Sequence, residues 1–224
     1  MSTSTSSSEV LVDAFTLGPL ETNTYVVRCG GECWVIDPAW EDEGLMRMLR
    51  SCEAPPSRIL LTHGHGDHIA GAEALRVAFP TLKLCCPAAD AAMLADPAAN
   101  MSAAFGVPIT TAAADELIEP SQVLVCGSSE WKVLDTSGHT EGSVSYHCRQ
   151  AGVVFTGDAL LAGAVGRTDF PGGSIGRLLK NIRLKLMSLP DSTRVLAGHG
   201  PETSIGGERI GNPFLKEFYK SKDR

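Results

Sequence analysis

The sequence predicts an α/β fold, an αββα sandwich of two packed mixed sheets with helices on the outer faces. Three observations lead there. Apolar runs of strand length alternate with stretches of helical periodicity in both halves of the chain. No Pro/Ser-rich linker separates the halves, which suggests two sheets packed face to face with helices outside. Four apolar runs are followed at once by His or Asp: Leu61-Thr62-His63, Thr136-Ser137-Gly138-His139, Phe155-Thr156-Gly157-Asp158 and Leu196-Ala197-Gly198-His199. Strand ends that converge on one rim build a single site.

The first third reads as strands over residues 10–16, 25–29 and 33–36, then a helix over 43–50. Residues 58–62 form a compact strand that runs into His63-Gly64-His65-Gly66-Asp67-His68. The next helix carries Ile69, Ala72, Leu75 and Phe79 at helical spacing and stops at Pro80. Residues 87–106 are Ala-rich and read as helical. The second half opens with strands over 122–126, 132–136, 144–148 and 153–156. A Gly-rich loop spans 163–173, a helix covers 174–188 and a last strand runs over 194–197. Residues 1–8, a Ser/Thr run without basic residues or an apolar core, read as a disordered terminus and not as a secretory signal. Residues 9–224 are then expected to form a single domain.

Of the 224 residues, 43% are hydrophobic and 20% charged, which suits a soluble globular chain. No run approaches the roughly 18 apolar residues of a membrane span. A formal charge of -7 disfavours a nucleic-acid backbone, because that partner needs clustered Lys and Arg. The expected partner is a small molecule, with neither nucleic acid nor membrane. Seven cysteines are odd in number and make no C-x-x-C pair or disulfide framework, which points to a reducing cytoplasm. Their plain role is as small core hydrophobes, as Cys126 is at the end of Val123-Leu124-Val125.

The segment from His63 to His68 places three imidazoles and a carboxylate within six residues. In an extended strand His63 and His65 share a face and His68 points away. Gly64 and Gly66 are expected to supply the backbone freedom that curls the segment around a centre. Nitrogen and carboxylate ligands suit zinc, and also iron or manganese. A lone His is more often a hydrogen-bonded core or surface residue, and His147, in an alternating stretch, is given no role. His139 and His199 gain weight from following a strand and a Gly. Arg177, Lys180 and Arg183 read as a solvated helix face, as do Lys216, Lys220, Lys222 and Arg224 at the end. Arg167, nine residues after Asp158, is the candidate for binding a substrate carboxylate.

HxHxDH, then Gly-His-Thr-x-Gly-Ser at 138–143, Thr156-Gly157-Asp158 and Gly198-His199 resemble the metallo-β-lactamase superfamily, in its order and over most of the chain. The resemblance implies that family's fold and two divalent ions, zinc foremost. His63, His65 and His139 would bind one, Asp67, His68 and His199 the other, and Asp158 would bridge. Asp37, in Val35-Ile36-Asp37-Pro38, matches the early Asp that supports the ligands from behind; a turn-forming Asp before Pro is the simpler alternative. A narrower similarity, to the short glyoxalase II-like (hydroxyacylglutathione hydrolase-like) enzymes, lies in residues 21–25, 166–174 and 198–214. It implies hydrolysis of S-acylglutathione thioesters such as S-lactoylglutathione. Full-length glyoxalase II adds a C-terminal helical domain that helps hold glutathione, whereas this sequence ends soon after Phe214. Several thioesters are therefore expected to be accepted.

In this reading a hydroxide held between two metals about 3.5–4 Å apart attacks the thioester carbonyl, and one metal stabilises the oxyanion. The thiol, with a pKa near 8.5, leaves as thiolate. Asp67 ligates a metal and is a candidate to handle a proton. Three alternatives stay open. They are a persulfide dioxygenase with one iron on His63, His139 and Asp158, a lactonase or esterase, and a non-catalytic metal-binding protein.

Overall fold

Two six-stranded sheets and the helices on their outer faces enclose three apolar layers in the computed structural model, which describes residues 9–216. The expected disordered terminus, and Lys220, Lys222 and Arg224, lie outside the described residues. The first sheet takes its strands in chain order: β1 (Leu11–Leu17), β2 (Thr22–Cys29), β3 (Glu32–Ile36), β4 (Arg58–Leu60), β5 (Lys83–Pro87) and β6 (Glu116–Ile118). It is antiparallel from β1 to β3 and parallel from β3 to β6. Parallel neighbours need crossovers. These are α1 (Glu43–Ser51), between β3 and β4, the pair α2 (Gly66–Ile69) and α3 (Ala72–Ala78), between β4 and β5, and two 3-10 stretches between β5 and β6.

The second sheet contains β7 (Val123–Cys126), β8 (Ser129–Asp135), β9 (Val144–Cys148), β10 (Val153–Gly157), β13 (Arg194–Ala197) and β14 (Thr203–Ser204), in the order β14-β13-β10-β9-β8-β7. Between β10 and β13 come a small hairpin of β11 (Leu160–Leu161) with β12 (Ala164–Val165), and α4 (Ile175–Asn181). α4 continues as a π-helical turn over Ile182–Leu186, where the sequence predicts one regular helix. After β14 comes α5 (Ile205–Gly211).

Alternation along the strands decides which layer each side chain joins. Val27, Trp34, Ile36 and Leu60 of the first sheet face Trp131, Val133, Tyr146 and Phe155 of the second across the central layer. Their neighbours Val26, Val35 and Ile59 point outward and pack on Leu45, Leu49 and Leu75 of the helices. Val154 and Val195 do the same on the other side, against Leu178, Ile182 and Ile205. α1 starts where Asp42 accepts a hydrogen bond from the Leu45 amide at 2.8 Å, and it buries only the Leu45–Leu49 stripe.

β5, β6, β14 and α5 are absent from the sequence reading. β5 shows no alternation because both its faces are buried: Cys85 enters the central layer while Leu84 and Cys86 join the outer one. Residues 87–106 are not one helix. They form two 3-10 stretches, Ala88–Ala95 and Ser102–Phe105. Pro97 interrupts the run, and the Asp96 carboxylate takes up the amides of Ala98 and Ala99.

No helix among the described residues is long and apolar enough to cross a membrane.

Candidate metal centre

The four strand ends singled out in the sequence do converge. His63 follows β4, His139 follows β8, Asp158 directly follows β10, and His199 stands two residues beyond β13. Their ligand atoms, with those of His65, Asp67 and His68, fall into overlapping groups: His63 with His65 and His139; His63 with His68 and Asp158; Asp67 with His68 and His199. Within each group the atoms lie inside 4.8 Å of one another.

Four of the imidazoles are aimed by the nitrogen that faces away from the group. His63 Nδ1 meets Thr62 Oγ1 at 3.1 Å, and His68 Nδ1 meets Asp37 Oδ2 at 3.0 Å. His139 Nδ1 meets the Arg167 carbonyl at 2.6 Å, and His199 Nδ1 meets the Leu20 carbonyl at 3.1 Å. These contacts leave Nε2 of all four rings pointing inward, while His65 presents Nδ1. Asp37 governs more than its direct partner. Its carboxylate also accepts from Thr62 Oγ1 at 2.6 Å and from the Thr62 amide at 2.7 Å, so it reaches His63 through Thr62. Asp37 holds a positive φ of 48°, an uncommon conformation for a non-glycine residue.

The donor geometry fits a bound ion. His65 Nδ1 lies 3.0 Å from His63 Nε2 and 2.9 Å from His139 Nε2. Ligands about 2.0–2.1 Å from a tetrahedral zinc stand roughly 3.3 Å apart, close to this spacing. His68 Nε2 and Asp158 Oδ1 are buried without hydrogen-bond partners and stand 3.5 Å from each other. Orphaned buried polar atoms are rare, and a cation between them would satisfy both.

Charge follows the same division. Burial, reinforced by the neighbouring imidazoles, keeps His63 far below its usual pKa and brings His65 down to about 3, so both rings are neutral and carry a lone pair at pH 7. Burial is the largest influence on Asp67 and Asp158 and opposes their ionisation, but it is outweighed by His68 together with His199 and Thr22 at Asp67, and by His68 together with His139 and His199 at Asp158, which is held at about 2. His68 is itself pulled down by burial, yet Asp67, Asp37 and Asp158 together raise it well above its ordinary value. The cluster thus draws positive charge to its Asp67 side.

One sequence expectation is corrected here. Gly64 and Gly66 do not have the positive φ that would curl the segment; their lack of a side chain serves close approach. A Cβ on Gly66 would stand 2.6 Å from Ser102 Cβ, and one on Gly64 would crowd Met93 and the Asp90 carbonyl at 3.0–3.1 Å. Arg167 touches the cluster through its carbonyl and not its side chain. Its guanidinium donates to Asp169 at 3.0 and 2.8 Å and lies 4.5 Å from the centre of the Phe170 ring, which stands edge-on to His65.

Asp90 escaped the sequence reading. Its buried carboxylate accepts from the Gly64 amide at 3.0 Å, Thr140 Oγ1 at 2.6 Å and the Gly142 amide at 2.7 Å. It thereby ties the two ligand-bearing segments together, and burial raises its pKa. The one signal was an acid inside the apolar run Pro87-Ala88-Ala89-Asp90-Ala91-Ala92. His147, to which the sequence gave no role, sits on β9, and Arg177 and Lys180 are exposed on α4.

Imidazoles and carboxylates gathered at the strand ends of an αββα sandwich define a metallohydrolase framework. The chain belongs to the metallo-beta-lactamase superfamily, whose model matches residues 17–199. It is 37% identical over 203 residues to the probable metallo-hydrolase YqgX of Bacillus subtilis, covering 90% of this chain and 96% of the relative. It is 33% identical over 183 residues to the hydroxyacylglutathione hydrolase GloC of Haemophilus influenzae, covering 81% and 86%. Among solved structures it is similar to the BLEG-1 B3 metallo-beta-lactamase (TM-score 0.87, 40% identity, 92% of this chain and 99% of that one). It is also similar to TTHA1623 in a di-iron-bound form (TM-score 0.82, 35% identity, 91% and 100%).

Proposed function

We propose that the chain is a thioester hydrolase of glyoxalase II-like chemistry that works with two divalent ions. The observation that carries the reading is the placement of Asp158. Its Oδ2 lies 3.6 Å from both His139 Nε2 and His199 Nε2, and its Oδ1 lies 3.5 Å from His68 Nε2. One carboxylate thus stands between the two histidine groups. His63, His65 and His139 would hold one ion, Asp67, His68 and His199 the other, and Asp158 both. Zinc suits this donor set, and the likeness to a di-iron form keeps iron in the same reading, with manganese also compatible. When bound, such ions supply activated water at neutral pH and a Lewis acid for the carbonyl oxygen.

The chain's own residues supply orientation and an ionised carboxylate ligand. Asp37 and Thr62 fix His63 and His68, while the Arg167 carbonyl fixes His139. Asp67 accepts from Thr22 Oγ1 at 2.8 Å, remains partly open to solvent and is held ionised, which suits a metal-ligating carboxylate at the rim. A thiolate leaves without a proton donor, whereas a β-lactam amine has to be protonated as it leaves. The similarity to GloC favours the thioester, and the cytoplasm suits Cys33 and Cys52, whose sulfurs lie 3.9 Å apart without a disulfide.

The test is metal analysis of the purified protein, coupled to turnover of S-lactoylglutathione beside a chromogenic cephalosporin. Two ions per chain with thioester turnover is the expected result. A filled two-ion site without thioester turnover would overturn the assignment, and one iron per chain with oxygen uptake on glutathione persulfide would transfer it to the dioxygenase.

A further inference from the structure

Beside Asp67 the rim opens into a cavity of about 240 Å³. The β1–β2 turn contributes Leu17 and Leu20 to its wall, the loop after β3 contributes Trp40, and the segment around the second 3-10 stretch contributes Phe105, Val107 and Ile109. Asp67 is the one charged residue among its twelve lining residues, and it stands at the metal end. The hydroxyl of Thr22 is spent on Asp67 and that of Ser102 on Asn100, which leaves the wall apolar. Leu20, Phe105 and Val107 are nonetheless exposed around the cavity mouth. An apolar hollow with exposed aromatic and aliphatic walls, opening on a metal cluster, gains by covering those walls with apolar ligand surface.

The wall is preformed. Asn100 Nδ2 donates to the carbonyls of Met93 and Ile109 at 3.0 and 2.9 Å, and the Ile109 amide donates to Ser102 Oγ at 2.8 Å. The Gly66 amide donates to the Asn100 carbonyl at 2.8 Å, which fastens this wall to the ligand segment itself. The opposite side of the cluster is different in character: Phe170, with the Arg167–Asp169 ion pair, borders His65 and His139. A thioester lying across the two histidine groups meets a charged loop at one end and an apolar hollow at the other.

We propose that the hollow beside Asp67 is an acyl subsite, so that the preferred substrates are thioesters of straight medium-chain or aryl acyl groups, with the polar thiol carrier toward Arg167. The proposal rests on the thioester reading and names its substrate class. An apolar cavity of roughly 150 Å³ already accepts benzene, so this one accommodates an aryl ring or a hexanoyl chain. A lactoyl group would place a hydroxyl against the wall without a partner.

The test compares acetyl, butyryl, hexanoyl and lactoyl thioesters of one thiol, glutathione. Burial of a methylene is worth about 0.8 kcal/mol, so kcat/KM is expected to rise about four-fold per added methylene, with hexanoyl above lactoyl. Val107→Asp, at an exposed wall position, is expected to lower the hexanoyl-to-acetyl ratio of kcat/KM at least ten-fold. Binding is measured separately with 2-octanone, an unreactive carbonyl compound, by tryptophan fluorescence in wild type and Val107→Asp. Saturable binding of the ketone that Val107→Asp abolishes would uphold the subsite even if no thioester were hydrolysed. A flat chain-length profile, or lactoyl preferred to hexanoyl, would overturn the subsite while leaving thioester hydrolysis standing. Absence of ketone binding would overturn it as well.

Discussion

Asp90 accepts a hydrogen bond from Thr140 Oγ1 at 2.6 Å, linking the segment after β5 in the first sheet to the loop after β8 in the second. With the Gly64 and Gly142 amides on the same carboxylate, one buried side chain sets how far apart the two ligand-bearing loops stand.

Asp90→Ala is therefore expected to cost about 2–6 kcal/mol, since two buried amides lose their acceptor at about 1–3 kcal/mol each. Metal binding should weaken at least ten-fold, because His63 and His139 lose their common support. Urea denaturation and chelator competition check this. Wild-type stability and affinity together would show that the loops keep their spacing without the carboxylate.

Asp37 offers a cleaner separation of orientation from folding. Asn tolerates the same positive φ but presents an amide nitrogen where the carboxylate now accepts three hydrogen bonds. Asp37→Asn should retain the far-UV circular dichroism of the wild type while losing 10–100-fold in metal affinity, about the effect of removing an outer partner of a ligand. Asp37→Ala adds backbone strain and should also lower the melting temperature. Undiminished affinity in both variants would remove Asp37 from its role behind His63 and His68.

The two-ion reading predicts unequal stoichiometries. Asp158→Asn should lose metal from both positions, because that carboxylate stands against His68, His139 and His199 at once. His199→Ala should mainly empty the position it shares with Asp67 and His68. Elemental analysis after dialysis decides between them, with circular dichroism to show that each variant is folded. Equal metal loss in the two would contradict the division into two positions.

His147 lies 7% exposed on the outer face of the second sheet, paired in register with Lys132. Burial first, then Lys132 and Arg149, lowers its pKa below 6.5. In that case the unfolded chain takes up a proton that the native state refuses, so stability falls as the pH drops below about 6.5. The wild type should lose more unfolding free energy between pH 7.5 and 5.5 than His147→Gln. The cluster histidines are the same in both proteins and cancel in the comparison. Parallel losses would show that His147 takes up its proton as readily folded as unfolded.

Much of the fold was legible wherever burial is one-sided. α1 shows its Leu45–Leu49 stripe and its Asp42 cap in the sequence, and β9 and β13 have the bounds that their apolar runs suggest. β5 was not legible, because a strand buried on both faces has no period-2 signal and Lys83-Leu84-Cys85-Cys86-Pro87 is too short to compensate. The Ala-rich run misled for another reason: helix propensity is a weak prior, and the Asp90 carboxylate and the Asn100 carbonyl are taken up by the distant Gly64 and Gly66 amides.

The sequence by itself determined the donor set. Four of the seven candidate ligands are near neighbours in one segment, and the others stand just beyond apolar strands, so chain chemistry alone named them. The tertiary structure decided everything that depends on residues distant in sequence: which ring nitrogen faces inward, the clamp at Asp90, the close packing that requires Gly66, and the hollow beside Asp67. Asp90 and Thr140 are 50 residues apart, and Asp67 meets Thr22 across 45. No local pattern encodes such contacts, because they arise only when two sheets, packed on a shared apolar layer, bring their loops to the same edge.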